Sequence, residues 1–337
     1  MTMTTQTSTS EPTATPRPLY FINAMKEGLH AAMSEDDRVV VIGEDVDRSV
    51  IGATRGLIDD FGPMRVRNTP ISEATFVGAC VGAAAAGLRP VVDLMVGSFF
   101  YVAMDQLADQ AAKLRYMSGG QVALPIVYFA ATGPSGSGAA QHSENLHPML
   151  MNVAGLKIVM PSTPYDAKGL MISAIRDPNP VVYLQDFVLG GTRSHVPEEA
   201  YAIPLGVGDI KKPGTDVTVV AIGATVPKAL KVAKSLEKEG ISVEVVDPRT
   251  LVPLDEALIL ESVARTGRLV VTDSARLTCS AASEIVAMVA QSGFDTLTAA
   301  PQRVAWENVP VPFSPPLEKR VLVQEDDIRR AILATLA

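Results

Sequence analysis

At 337 residues the chain is too long for one ordinary domain and suits two. Its 47 % hydrophobic and 20 % charged residues make a globular balance, and a net charge of −8 argues against a nucleic-acid partner, which needs a basic face. No apolar run reaches the ~18 residues of a membrane span, so no membrane partner is expected.

The Thr/Ser/Pro-rich segment from Met1 to Pro18 lacks the apolar centre of a secretory signal and the arginines of a transit peptide, and is expected to be a disordered tail. Val/Ile-rich runs then predict strands at Arg38–Gly43, Pro90–Val96, Pro125–Ala131, Leu156–Ser162 and Pro180–Asp186. They show little alternation, as strands buried on both faces do. Helices are expected between them. Phe99–Met117 carries apolar residues at Val102, Leu107, Ala111 and Leu114. Pro164–Arg176 opens with Ser162 and Thr163 as caps, a proline in the first turn and Asp166 early.

From about Gly190 to Gly214 no period is visible. Beyond this seam the alternation restarts, with strand Val217–Gly223, helix Pro227–Lys238, strand Ser242–Asp247, helix Asp255–Arg265, strand Arg268–Asp273, helix Ala281–Gln291 and strand Arg303–Glu307. Strands alternating with helices predict two parallel-sheet α/β domains. The amphipathic segment Glu325–Leu336 closes the chain. Cys80 and Cys279 form no metal-spaced cluster and are expected to be buried thiols in a reducing cytoplasm.

Two stretches can carry chemistry. In NTPISEATFVGACVGAAAAGLRPVVDL, Glu73 opens a helix nearly devoid of large side chains. Glycine inside a helix costs about 1 kcal/mol relative to alanine, which is tolerated where something packs closely. Glu73 reads either as a first-turn carboxylate answering the helix dipole or as a partly desolvated functional group. The run GPSGSGAAQHSEN follows a predicted strand and presents His142 where ligands bind in open parallel sheets. It reads either as a surface loop or as a proton-transfer loop. It is neither a Walker motif nor a dinucleotide fingerprint. A Ser143 triad has no nucleophile elbow, and a His142/Glu144/His147 metal set has no helical spacing.

The stretches TPISEATFVGACVGAAAAGLRPV, AMDQLADQAAKLRYMSGGQ, GAAQHSE, GLKIVMPSTPYDAKGLMISAIRDPNPVVYL, VEVVDPRTLVPLD and VPFSPPLEK together closely resemble the β subunits of the pyruvate, branched-chain 2-oxo acid and acetoin dehydrogenases. The resemblance covers residues 19–337. It implies a transketolase-like pyrimidine-binding domain over residues 19–200 and a transketolase C-terminal-like domain over residues 201–337. It also implies an α2β2 heterotetramer that uses thiamine diphosphate at α–β interfaces. The α subunit would hold the diphosphate and Mg²⁺ through a Gly-Asp-Gly motif, which this chain lacks; Gly206–Lys212 (GVGDIKK) has no glycine after its aspartate.

Residue by residue, the resemblance implies that Glu73 hydrogen-bonds the aminopyrimidine ring nitrogen and so helps activate the cofactor. Ile71 would touch the pyrimidine. Phe99, or its neighbour Phe100, would pack on that ring. His142 would manage protons as the acyl group passes to a lipoyl arm. Ile126, Ala174, Asp177 and Asn179 match a monovalent-cation (K⁺) site. The C-terminal domain, acidic at Glu325–Asp327, would dock the small basic domain of a lipoyl acyltransferase core. The chain departs from the family at Asp273-Ser274-Ala275-Arg276, where relatives often carry Asp-Glu, and at Thr278–Ser280. Its loop before His142 lacks an arginine that some relatives carry. Two alternatives are another split-chain thiamine-dependent enzyme of the transketolase kind and a non-catalytic assembly subunit.

Overall fold

A computed structural model describes residues 17–337. Most of the expected tail therefore lies outside the described residues. Its last two residues belong to the fold. Arg17 pairs with Glu27 at 2.8 Å, and Pro18–Tyr20 forms a strand antiparallel to Arg193–His195.

The larger sheet has seven strands. In spatial order they are Thr250–Val252, Lys157–Val159, Val181–Asp186, Val127–Thr132, Arg89–Val96, Val39–Gly43 and Val66–Asn68. All neighbours are parallel except the first pair. The central strands are buried on both faces. Val127 and Phe129 join Phe21, Met25, Leu29 and Leu170 on one side. Tyr128 and Ala130 join Val77, Cys80, Phe100 and Leu107 on the other. This two-sided burial is why the sequence shows unbroken apolar runs.

The smaller sheet has five strands: Gln302–Trp306, Leu269–Arg276, Val217–Ala221, Val243–Asp247 and Asp209–Lys212, parallel but for the last. Helices Thr225–Glu237 and Glu325–Leu336 cover one face, with Ala229, Ala233, Ile328 and Ile332 in the core. The seam without a period holds two short antiparallel strands, Arg193–His195 and Asp209–Lys212. Strand Thr250–Val252 leaves the second half of the chain to extend the first sheet, and one apolar core runs through both units.

The segment expected as the helix Phe99–Met117 is wound three ways: a 3-10 helix over Gly97–Ala103, a π-helix over Asp105–Ala111 and an α-helix over Ala112–Met117. Burial explains the change. Gly97, Phe100 and Ala103 are buried at intervals of three, then Leu107 and Ala111 at intervals of four. Overwinding followed by underwinding keeps one face on the core. Cys279 also differs from expectation. It is exposed, in the left-handed region at φ 54°, and precedes helix Ala281–Ser292, whereas Cys80 is buried.

A buried charge cluster joins the units. Thr163 caps helix Pro164–Arg176, accepting from the Asp166 amide. Ser162, the other expected cap, donates instead to Asp247. The fully buried Asp166 takes Arg249 at 2.7 Å and Lys211 at 2.6 Å, and Arg249 also reaches Asp209 at 3.0 Å. Removing one partner of a buried pair leaves charge uncompensated. Arg249→Met should therefore destabilise the fold by about 3 kcal/mol, read as a lower urea midpoint at unchanged slope. A midpoint equal to that of the unaltered chain would show that Lys211 alone balances Asp166.

Candidate active site at the carboxyl edge of the larger sheet

Four adjacent strands of the larger sheet run in one direction, so their carboxyl ends share an edge. Val66–Asn68 leads into Glu73, Val39–Gly43 into Glu44, Arg89–Val96 into Phe99 and Val127–Thr132 into the loop that carries His142. This is the edge at which open parallel sheets bind ligands.

Glu73 is the first residue of helix Glu73–Ala85 and is 8 % exposed. Ser72 occupies the cap position but its side chain makes no capping bond. The helix packs on the Gly97–Ala111 segment, and a Cβ at Gly78 would come 3.1 Å from the Gln106 side chain. Gly78 thus serves close helix packing, whereas a Cβ at Gly82 would meet nothing within 4 Å.

Phe99 is half-buried and meets the His142 ring edge-on, with centroids 6.0 Å apart. Phe100 is fully buried in the core and has no face to offer a ligand. His142 is exposed at the end of a short 3-10 turn, Ala140–His142, and the Ser98 hydroxyl donates to the Gln141 carbonyl beside it. Ile71 is 83 % exposed, so its side chain is left largely uncovered by the described residues.

Two acids that the sequence reading passed over stand at the same edge. Burial pushes the Glu44 carboxyl above its ordinary range, and the charges of Glu73 and Asp45 push it further, against the Ser72 amide. Asp93, 6 % exposed, is pushed up to about 7 by burial, opposed by the bond it accepts from the Met95 amide at 2.8 Å and reinforced by Glu44. The sequence carries only a partial signal: Glu44 directly follows an apolar strand run and Asp93 interrupts one, but the burial and neighbours that raise both carboxyls are set by the fold. The Glu44 Oε1 and Thr69 Oγ1 atoms are buried without a hydrogen-bond partner. Buried polar atoms are rarely left so unless a ligand or water meets them.

A cleft of about 1100 Å³ lies elsewhere, lined by Glu144, Asn145, Arg276 and Cys279 among others, and excludes Glu73, Phe99 and His142. The strand-end geometry is the better guide to chemistry here, because the site is an open edge that another chain can cover.

Comparison with known proteins agrees with this architecture. Residues 18–185 match the transketolase pyrimidine-binding domain and residues 206–328 the transketolase C-terminal domain. The acetoin:2,6-dichlorophenolindophenol oxidoreductase subunit beta of Bacillus subtilis is 44 % identical over 93 % of this chain and 96 % of its own. The pyruvate dehydrogenase E1 component subunit beta of Rickettsia bellii is 42 % identical over 92 % and 96 %. The chain belongs to the β-subunit family of the 2-oxo acid and acetoin dehydrogenases. A split-gene transketolase described as an inactive beta4 tetramer superposes with a TM-score of 0.78 over 94 % of this chain and 98 % of that one, at 23 % identity, which speaks for the fold alone.

Members of this dehydrogenase family are thiamine-diphosphate-dependent oxidoreductases. In this β-family chain the four residues expected at a cation lie around Pro178. Pro178 has no amide hydrogen, so the Ala174 carbonyl has no helical donor four residues on. The Ile126 carbonyl accepts from the Val181 amide at 2.8 Å. Asp177 pairs with Lys157, and Arg115 donates to the Asn179 side chain at 3.0 Å. Among the described residues, no helix is long and apolar enough to cross a membrane and no group of His, Cys, Asp or Glu is placed to hold a metal.

The raised Asp93 carboxyl gives a pH-dependent contribution with a definite sign. Between the ordinary value near ~3.9 and about 7, the folded chain holds a proton that the unfolded chain releases. Stability from this group is present at low pH and lost as pH rises through that window. Asp93→Asn keeps the acceptor for Met95 and removes the loss. Its gain in melting temperature should be larger at pH 8 than at pH 5, by on the order of 3 °C. An equal gain at both would show that Asp93 does not titrate in this window.

Proposed function

We propose that this chain supplies the pyrimidine side of a thiamine diphosphate site completed by an α subunit, in an α2β2 assembly that acts on a 2-oxo acid or acetoin and passes the acyl group to a lipoyl arm. The observation that carries this reading is the convergence of Glu73, Phe99 and His142 on one sheet edge, beside the unpartnered oxygens of Glu44 and Thr69.

The residues present fit the pyrimidine half of the cofactor. The sheltered Glu73 carboxyl would hold a proton at a ring nitrogen, and Phe99 offers an aromatic face. Ile71 offers apolar surface that only a bound partner or ligand would cover. His142, exposed and on a glycine-rich loop, would take and return a proton as the acyl group leaves. Bound thiamine diphosphate supplies an electron sink for decarboxylation. The diphosphate and Mg²⁺ are assigned to the α subunit, because this chain has no Gly-Asp-Gly motif.

The division of labour is proposed to follow residues 19–200 for the cofactor and 201–337 for assembly, in a cytoplasmic complex. Ile126, Ala174, Asp177 and Asn179 would take K⁺ mainly through carbonyl oxygens, since Lys157 already balances the Asp177 carboxylate.

In the enzyme reconstituted with its α subunit, Glu73→Gln should lower decarboxylation at least about 100-fold while the circular dichroism spectrum and α association stay unchanged. Activity within threefold of the unaltered enzyme would remove Glu73 from the chemistry.

Docking of a basic acyltransferase domain is proposed at the acidic start of helix Glu325–Leu336. Of its three acids, Glu325 pairs with Lys231 at 2.8 Å, and Asp327 closes a capping box on the Gln324 amide at 2.8 Å. Asp326 is exposed and has neither role. Asp326→Lys should slow association about threefold at low salt, with the effect fading once the Debye length shrinks to ~8 Å. Unchanged association kinetics would place docking elsewhere.

A further inference from the structure

The loop that presents His142 is anchored from the second unit. Glu144, two residues after His142, receives both terminal nitrogens of Arg276, at 2.7 and 2.9 Å. The Arg276 Nε donates to the Val309 carbonyl at 3.2 Å. A two-pronged guanidinium–carboxylate pair fixes angle as well as distance. The two side chains are 25 % and 16 % exposed, so solvent screens the pair less than a surface bridge.

The backbone of Glu144 does further work. Its carbonyl accepts from the Gly133 amide at 3.1 Å and lies 3.2 Å from where a Cβ on Gly97 would stand. Glu144 thus gathers the start of the loop, the segment bearing Phe99, and Arg276.

The residues that follow attach to the strand that carries Arg276 and to the end of Val181–Asp186. Asn145 donates to Asp186 at 3.1 Å and to the Ser274 carbonyl, and His147 pairs with Asp273 at 2.8 Å. Asp273, Ser274 and Arg276 are all on strand Leu269–Arg276, in the stretch where this chain departs from the family pattern. Between the anchors, Gly133, Gly136, Ser137 and Ala139 all have positive φ. Glycine at such positions leaves several backbone states open, so where His142 stands depends on how the loop is held.

We propose that Arg276 is a positioning residue for the reaction and sets the place of His142 by clamping Glu144. The proposal rests on the reading of His142 given above. It makes the second unit a contributor to the active site through a side chain that never touches the cofactor edge.

The test uses the enzyme reconstituted with its α subunit. Pyruvate, 2-oxoisovalerate and acetoin are offered as donors and free lipoamide as acceptor, and the donor turned over fastest is used throughout. Arg276→Gln should lower kcat for acyl transfer about tenfold with the donor KM within twofold. In a His142→Ala background the same change should cost less than twofold, because the group being positioned is gone. Arg276→Lys should fall between, and the exchange Arg276→Glu with Glu144→Arg should recover to within threefold.

A tenfold loss in both backgrounds would make Arg276 a structural residue only and overturn the proposal. So would undiminished transfer in Arg276→Gln. If the exchanged pair folds poorly, the double-mutant comparison still decides. His142→Ala with normal acyl transfer would instead overturn the reading of His142 itself, and no turnover of any donor by the unaltered enzyme would overturn the proposed function.

Discussion

Parallel strands all finish on the same side of their sheet, and this constraint organises the whole molecule. Residues 44, 73, 99 and 142 are far apart in the chain. They meet because the strands before them are neighbours that run one way. Burial of those strands on both faces supplies the stability that lets their ends carry exposed or strained groups. The acids at the edge carry a cost of burial that backbone donors such as the Met95 and Ser72 amides offset only in part, which is why both carboxyls are raised.

The two units are bound by chemistry of two kinds. A shared apolar core and the added strand Thr250–Val252 make the joint rigid. Charged groups then fix its register. Arg249, Lys211 and Asp166 meet on one flank, and Arg276 and Glu144 meet near the His142 loop. Such pairs contribute little beyond what apolar residues would give, but they are geometrically demanding. The joint therefore tolerates little sliding, and the placement of the His142 loop inherits that precision.

Much of this was legible in the sequence. The strand runs around Val39–Gly43, Arg89–Val96 and Val181–Asp186 were visible because two-sided burial leaves no polar positions to interrupt them. Helix Pro164–Arg176 was visible through its cap and proline. What stayed hidden depends on partners distant in the chain. Pro18–Tyr20 becomes a strand only because Arg193–His195 lies beside it, and Asp209–Lys212 only because it borders Val243–Asp247. The winding of Gly97–Met117 follows from which side chains reach the core, a property that an average helical period conceals. At the site, motif resemblance pointed to Glu73 and His142, whereas the raised carboxyls of Glu44 and Asp93 arise from burial and neighbours that no local pattern records. Ser162 was read as a cap on local grounds and is instead drawn to Asp247, 85 positions away.

The unexpected exposure of Cys279 has a practical side. The other thiol, Cys80, is buried and its ionisation is pushed up to about 12 by that burial, so it offers almost no thiolate to a reagent. The chain has no third cysteine. A maleimide dye or spin label would therefore mark one address, three residues beyond Arg276 and on the wall of the cleft between the units. The native chain thus comes with a built-in reporter position beside the joint of its two halves, without any cysteine having to be removed or added.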